Sequence, residues 1–169
     1  NADGYEVNPV IISPERKAQL NRNLMLFFTG FSRFSSDIQK TTQKDMADKE
    51  RQLLEMLSLV DEAEKVLTTK TDLNEFGRLL DYTWRLKRGI SSGISTDSID
   101  GLYAKGIEAG ALGGKLLGAG GGGFLLFYVE EDKREAVAKA MEDLLYVPFQ
   151  FENSGTRVIH YTAEMYEKR

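Results

Sequence analysis

Eight of the fourteen residues from Gly110 to Gly123 are glycine, and the next six, Phe124 to Val129, are all apolar or aromatic. Glycine loses more backbone entropy on folding than any other residue, so such a cluster persists only where the fold needs positive φ or close backbone approach, often to a phosphate. Gly118, Gly120 and Gly123 match G-x-G-x-x-G literally. A dinucleotide fingerprint, however, runs strand, glycines, helix. Here the glycines lead into Phe-Leu-Leu-Phe-Tyr-Val, which reads as a buried strand. A phosphate-binding P-loop fails as well, because Gly114-Lys115 is followed by Leu116 and Ala109 stands where the first glycine belongs. A protein-kinase glycine loop lies between strands, but the chain has no H-R-D and no D-F-G. What remains is strand 115–117, loop 118–123 and strand 124–129.

A chain of 169 residues fits one domain and buries roughly two-thirds of its unfolded surface. The net charge is −4 with both signs interspersed, so nucleic-acid binding has no electrostatic footprint. No long apolar run suggests a membrane span. There are no cysteines and one histidine, His160, which excludes disulfides, thiolate sites and histidine-cluster metal sites. These features fit a cytoplasmic domain.

Residues 6–12 read as a strand. Ser13-Pro14 starts a short helix to about Asn21, with proline at the first helical position. Residues 24–29 form a buried strand stopped by Gly30. A long helix is expected over 38–67 from the spacing of Met46, Leu53, Leu57, Val60 and Leu67. Thr71-Asp72 caps a helix over 73–87 that buries Phe76, Leu80 and Trp84, and Ser95 or Thr96 caps another, stopped by Gly110. An amphipathic helix follows over 132–145. Last come strands 147–151 and 156–161, joined by the turn 152–155. The resulting fold class is α+β: a ferredoxin-like split β-α-β antiparallel sheet with additional helices, all on one face.

Gly-Gly-Lys-Leu-Leu-Gly-Ala-Gly-Gly-Gly-Gly-Phe, residues 113–124, resembles the third conserved motif of the GHMP kinases, and most of all the D-glycero-D-manno-heptose 7-phosphate kinases. Val7-Asn-Pro-Val10, Phe28-Thr-Gly-Phe-Ser-Arg33, Trp84-Arg-Leu-Lys87 and Ile94-Ser-Thr-Asp-Ser-Ile-Asp100 are similar to the C-terminal half of that subfamily. The P-x-x-x-G-L-x-S-S-A phosphate loop of the family's N-terminal half is absent. Residues 1–169 are therefore expected to be a single C-terminal-type domain, separated from an N-terminal domain that carries the main nucleotide loop and the catalytic residues.

The resemblance implies an ATP-dependent kinase that transfers a γ-phosphoryl group to a sugar hydroxyl. Its cofactors would be ATP and Mg²⁺. Its partners would be a sugar or sugar-phosphate substrate and the N-terminal domain, with room for a homodimer. A GHMP kinase for a fucose- or galactose-type sugar or for mevalonate is an alternative, as is a non-catalytic ferredoxin-like ligand-binding or regulatory module. The cleft loop would be Gly118, Ala119, Gly120, Gly121, Gly122 and Gly123, offering backbone N–H groups without side-chain obstruction. Arg33 would meet a substrate phosphate with its planar fork or, failing that, serve a local cap or ion pair. Lys115 reads as a solvated strand residue or as a point charge for phosphate. Lys87 and Arg88 complement a helix C-terminus, and Asp97 and Asp100 a helix N-terminus.

Overall fold

The computed structural model describes residues 7–31, 49–91, 93–118, 120–153, 155, 156, 158 and 160. Helix α1, Pro14–Asn23, begins where Ser13 Oγ accepts the Arg16 N–H at 3.2 Å. It runs directly into strand β1, Leu24–Phe28. Helix α2 covers Glu50–Thr68; the expected stretch from 38 to 48 lies outside the described residues. Arg16 ties α1 to the end of α2, where the last carbonyls of a helix lack intrahelical partners. Its guanidinium donates to the carbonyls of Leu67 at 2.9 Å, Thr71 at 2.6 Å and Val66.

Helix α3, Asn74–Arg88, starts one residue later than the sequence implies. Leu73 holds the N-cap position without a side-chain bond, and Asp72 Oδ1 instead accepts the Asn74 N–H at 3.1 Å. Helix α4, Asp97–Glu108, is capped by Thr96 Oγ1, which accepts the Ile99 N–H at 3.3 Å. Strands β2, Ala111–Leu116, and β3, Phe124–Val129, form the glycine hairpin. A short 3₁₀ turn leads to α5, Arg134–Ala140, and then to the two-residue strand β4, Leu145–Tyr146.

The four strands are ordered β2-β3-β1-β4, with every neighbouring pair antiparallel. Strands β3 and β4 are thus parallel to each other with β1 inserted between them, and α5 joins them: a split β-α-β unit. Side chains alternate across the sheet. Met25, Phe27, Leu125, Phe127 and Val129 face one core with Ile99, Tyr103, Val137 and Met141. Leu24 and Tyr128 face a second core with Leu20, Val66 and Leu73, against which Phe76, Leu79, Leu80 and Leu126 pack. The expectation that all helices lie on one face is therefore corrected. Helices α4 and α5 bury one face, while α1, the end of α2 and the start of α3 cover the other, because β1 and β3 carry large apolar side chains at both parities.

Helix α3 meets β2 backbone to backbone. A Cβ on Gly113 would sit 1.9 Å from the Gly77 carbonyl oxygen and 2.8 Å from the Asp81 nitrogen, so only glycine fits there. Further along the helix, Trp84 is fully buried in the first core, beside Tyr103.

Among the described residues, three strands are not formed as expected. Residues 7–12 form no strand and pair with no described segment, and Val7 and Ile11 are exposed. The Val147 N–H still donates to Leu26 O at 2.8 Å, in register with β4, but residues 148–151 make no ladder. Pro148 has no N–H to donate, and the backbone turns to Asn21, whose Nδ2 donates to Phe149 O at 3.2 Å and whose Oδ1 accepts Phe151 N–H at 3.0 Å. Of the expected strand 156–161, the described positions 156, 158 and 160 are not in a strand, and the expected turn at 152–155 includes position 154, which lies outside the described residues. The helix expected over 132–145 ends at Ala140.

Candidate functional site

The glycine connection between β2 and β3 is held by three other parts of the chain. At its base, the Leu117 N–H donates to Phe124 O at 2.8 Å. On one side lies the end of β1, where the Thr29 N–H and Thr29 Oγ1 both donate to Gly123 O at 2.9 Å. The Gly123 N–H returns the contact to Phe31 O at 2.9 Å. On the other side lies the segment between α3 and α4, whose Ile94 carbonyl accepts the Gly121 N–H at 3.0 Å. At the outer edge, Lys87 Nζ donates to Gly118 O at 2.9 Å.

This geometry explains the glycines. Gly118, Gly120, Gly121 and Gly123 have φ of 86°, 115°, 73° and 107°. That is the left-handed region, which costs other residues on the order of 1–3 kcal/mol each. Gly120 and Gly122 are also sterically confined: a Cβ would lie 2.7 Å from Ile94 O at the first and 2.5 Å from Phe31 O at the second. The loop therefore has two parts. Gly120 and Gly121 are buried and seated on the domain itself, whereas Gly118 is exposed, with nothing within 4 Å of its Cβ position. The expectation of N–H groups directed outward is corrected for Gly121 and Gly123, whose N–H groups point to this chain's own carbonyls.

Of the remaining expected site residues, Ala119 and Arg33 lie outside the described residues. Lys115 is half-buried on β2, opposite Leu126 and hence on the sheet face that α3 covers. Lys87 does more than balance a helix dipole. Burial, and then the neighbouring Lys115 ammonium, hold its pKa below the usual lysine value. The Trp84-Arg-Leu-Lys87 spacing marked this residue in the sequence, but its role depends on the register of α3 against β2. Asp97 opens α4 as expected. Asp100 instead accepts from Arg88 Nη2 at 2.7 Å and from Ser95 Oγ at 2.5 Å. These groups border an open pocket of about 490 Å³ whose wall also includes Arg85 and Ser91. The Ser91 hydroxyl is buried and has no hydrogen-bond partner among the described residues.

Chemically, the site offers a rigid backbone bed, an exposed lip and two ammonium groups. Among the described residues no group of three His, Cys, Asp or Glu side chains is arranged to hold a metal ion. No helix among them is long and apolar enough to cross a membrane.

A family model described as GHMP kinases C terminal matches residues 59–147, just over half of the chain. The match includes Lys87, Lys115 and the whole glycine loop. The chain is 31% identical over 155 residues to D-glycero-alpha-D-manno-heptose 7-phosphate kinase of Campylobacter jejuni, covering 89% of this chain and 45% of that protein. It is 35% identical over 89 residues to mevalonate kinase of Pyrococcus abyssi, covering 52% and 26%. The solved mevalonate kinase of Methanococcus jannaschii superposes with a TM-score of 0.66 at 25% identity, covering 80% of this chain and 42% of that one. The chain thus spans less than half the length of each of these proteins.

Proposed function

The chain belongs to the GHMP kinase family, and on that premise we propose that it acts as the C-terminal domain of an ATP-dependent sugar or sugar-phosphate kinase. The substrate class follows the heptose 7-phosphate kinase to which most of the chain is similar. The observation that carries the reading is the glycine loop itself: four left-handed glycines, clamped between the end of β1 and the Ile94 segment, with a cationic outer edge. A merely flexible hairpin needs no such clamp.

The reaction transfers the ATP γ-phosphoryl group to an alcohol, chemistry that rests on positioning and electrostatic stabilisation more than on covalent participation. This chain's share is one wall of a cleft. The Thr29, Phe31 and Ile94 contacts keep the bed from moving as charge passes the lip, and the lysines supply positive potential there. The main nucleotide loop and any catalytic base belong, in this reading, to a second domain opposite the wall. Arg33, two residues beyond the Phe31 contact, is the proposed reader of the substrate phosphate.

The test is a coupled ADP-release assay on the protein that joins this chain to such a domain, with heptose 7-phosphate, unphosphorylated sugars and mevalonate as substrates. Turnover with the heptose phosphate is expected. Turnover with mevalonate alone would reassign the substrate, and none with any would remove the kinase reading.

A further inference from the structure

The register of α3 against β2 points to an anion site at the outer lip of the glycine loop, built by Lys87 and Lys115 and suited to a phosphate group. Its existence is independent of the kinase reading; only the source of the phosphate rests on that reading.

Helix α3 and strand β2 run side by side in the same direction, because Gly77 and Asp81 face Gly113 while Lys87, further along the helix, reaches Gly118. Lys115 lies between these two contacts. Its pairing with Leu126 places it on the same sheet face as Gly113, which pairs with Tyr128. Helix and strand thereby bring the two ammonium groups near enough to repel each other.

Neither lysine forms an ion pair among the described residues, although carboxylates outnumber cations in this chain. Arg85 and Arg88, on the same helix, do have acidic partners, Asp81 and Asp100. Half-burying an ammonium beside a like charge is unfavourable without an anion to share. The depressed pKa of Lys87 reports both effects. An ammonium has three donors. Lys87 uses one on Gly118 O, which fixes its direction and leaves two. Gly118 carries no side chain, and nothing stands within 4 Å of its Cβ position, so the approach is open. Two adjacent point charges suit a doubly charged phosphate better than a single carboxylate, and lysine binds phosphate as a point charge.

The experiment follows the lysine ε-CH₂ resonances of the 169-residue chain by NMR during titration with tripolyphosphate, ATP and glucose 6-phosphate. Two lysine signals should move together in wild type. Lys87→Met and Lys115→Met should each weaken binding by roughly tenfold, about one charge-assisted hydrogen bond. Lys87→Arg should keep most of the affinity. Thermal unfolding checks that each variant folds. Binding of ATP and tripolyphosphate identifies a nucleotide phosphate as the source, and binding of glucose 6-phosphate alone identifies a substrate phosphate. Unmoved lysine signals at millimolar ligand, or affinity unchanged in both Met variants, overturns the site. Loss of kinase turnover with lysine binding intact would overturn the proposed function and leave this site standing.

Discussion

The bed and the lip of the glycine loop are separated by one residue, Ala119, and obey different constraints. At the bed, Gly120 and Gly122 are glycine because backbone from elsewhere occupies the space a Cβ would need. At the lip, Gly118 has room for a side chain and only its φ of 86° favours glycine. One kind of residue thus does two jobs: the bed's glycines let the chain pack against itself, and the lip's glycine keeps a surface open. Stability and ligand binding should therefore separate along the loop.

The largest effect that can break this comparison is Gly120→Val. It combines a left-handed φ with a 2.7 Å clash against Ile94 O. Backbone strain and overpacking together should destabilise the domain by about 2–6 kcal/mol, read from urea unfolding. A loss below about 1 kcal/mol would show that the bed is not seated as described. Next is Gly118→Ala, which meets the strain alone. A loss of about 1–2 kcal/mol is expected from the same measurement, clearly smaller than that of Gly120→Val.

Thr29→Val sharpens the clamp. It removes the Oγ1 bond to Gly123 O and the acceptor of the Phe31 N–H, while the Thr29 N–H still donates to Gly123 O. About 1 kcal/mol should be lost, and hydrogen exchange at Gly123 should quicken. The smallest effect is Lys87→Met, within about 0.5 kcal/mol near neutral pH. Its signature is pH dependence. Because the Lys87 pKa is lowered in the folded state, the unfolded chain binds more protons just below the ordinary lysine value of 10.5. Wild type should therefore gain stability relative to Lys87→Met as pH rises through that alkaline window. A difference that is flat with pH would mean that Lys87 is not buried beside Lys115.

Local signals were legible wherever local chemistry decides. Ser13-Pro14, Thr96 and the run Phe124–Val129 mark element ends that the structure reproduces. The apolar alternation Val147-Pro-Phe-Gln-Phe151 reads as a strand by the same logic, yet Asn21 captures its backbone and Phe149 packs on the second core. Residues 7–12 are also rich in β-branched side chains, but a strand needs a neighbour and no described segment pairs with them. Lys87 sat at a helix end by every local criterion, and only the path of α3 along β2 brings it to Gly118.

By itself, the sequence determined the split β-α-β class, the glycine hairpin and its likeness to one kinase family, because periodicity, caps and glycine clusters act over a few residues. The tertiary structure decided which N–H groups of the loop turn inward, that both sheet faces are covered, and that two lysines 28 positions apart meet at one lip. Those outcomes depend on the register between helix and sheet, which is set by close approaches such as Gly77 on Gly113 and leaves no periodic mark in the chain.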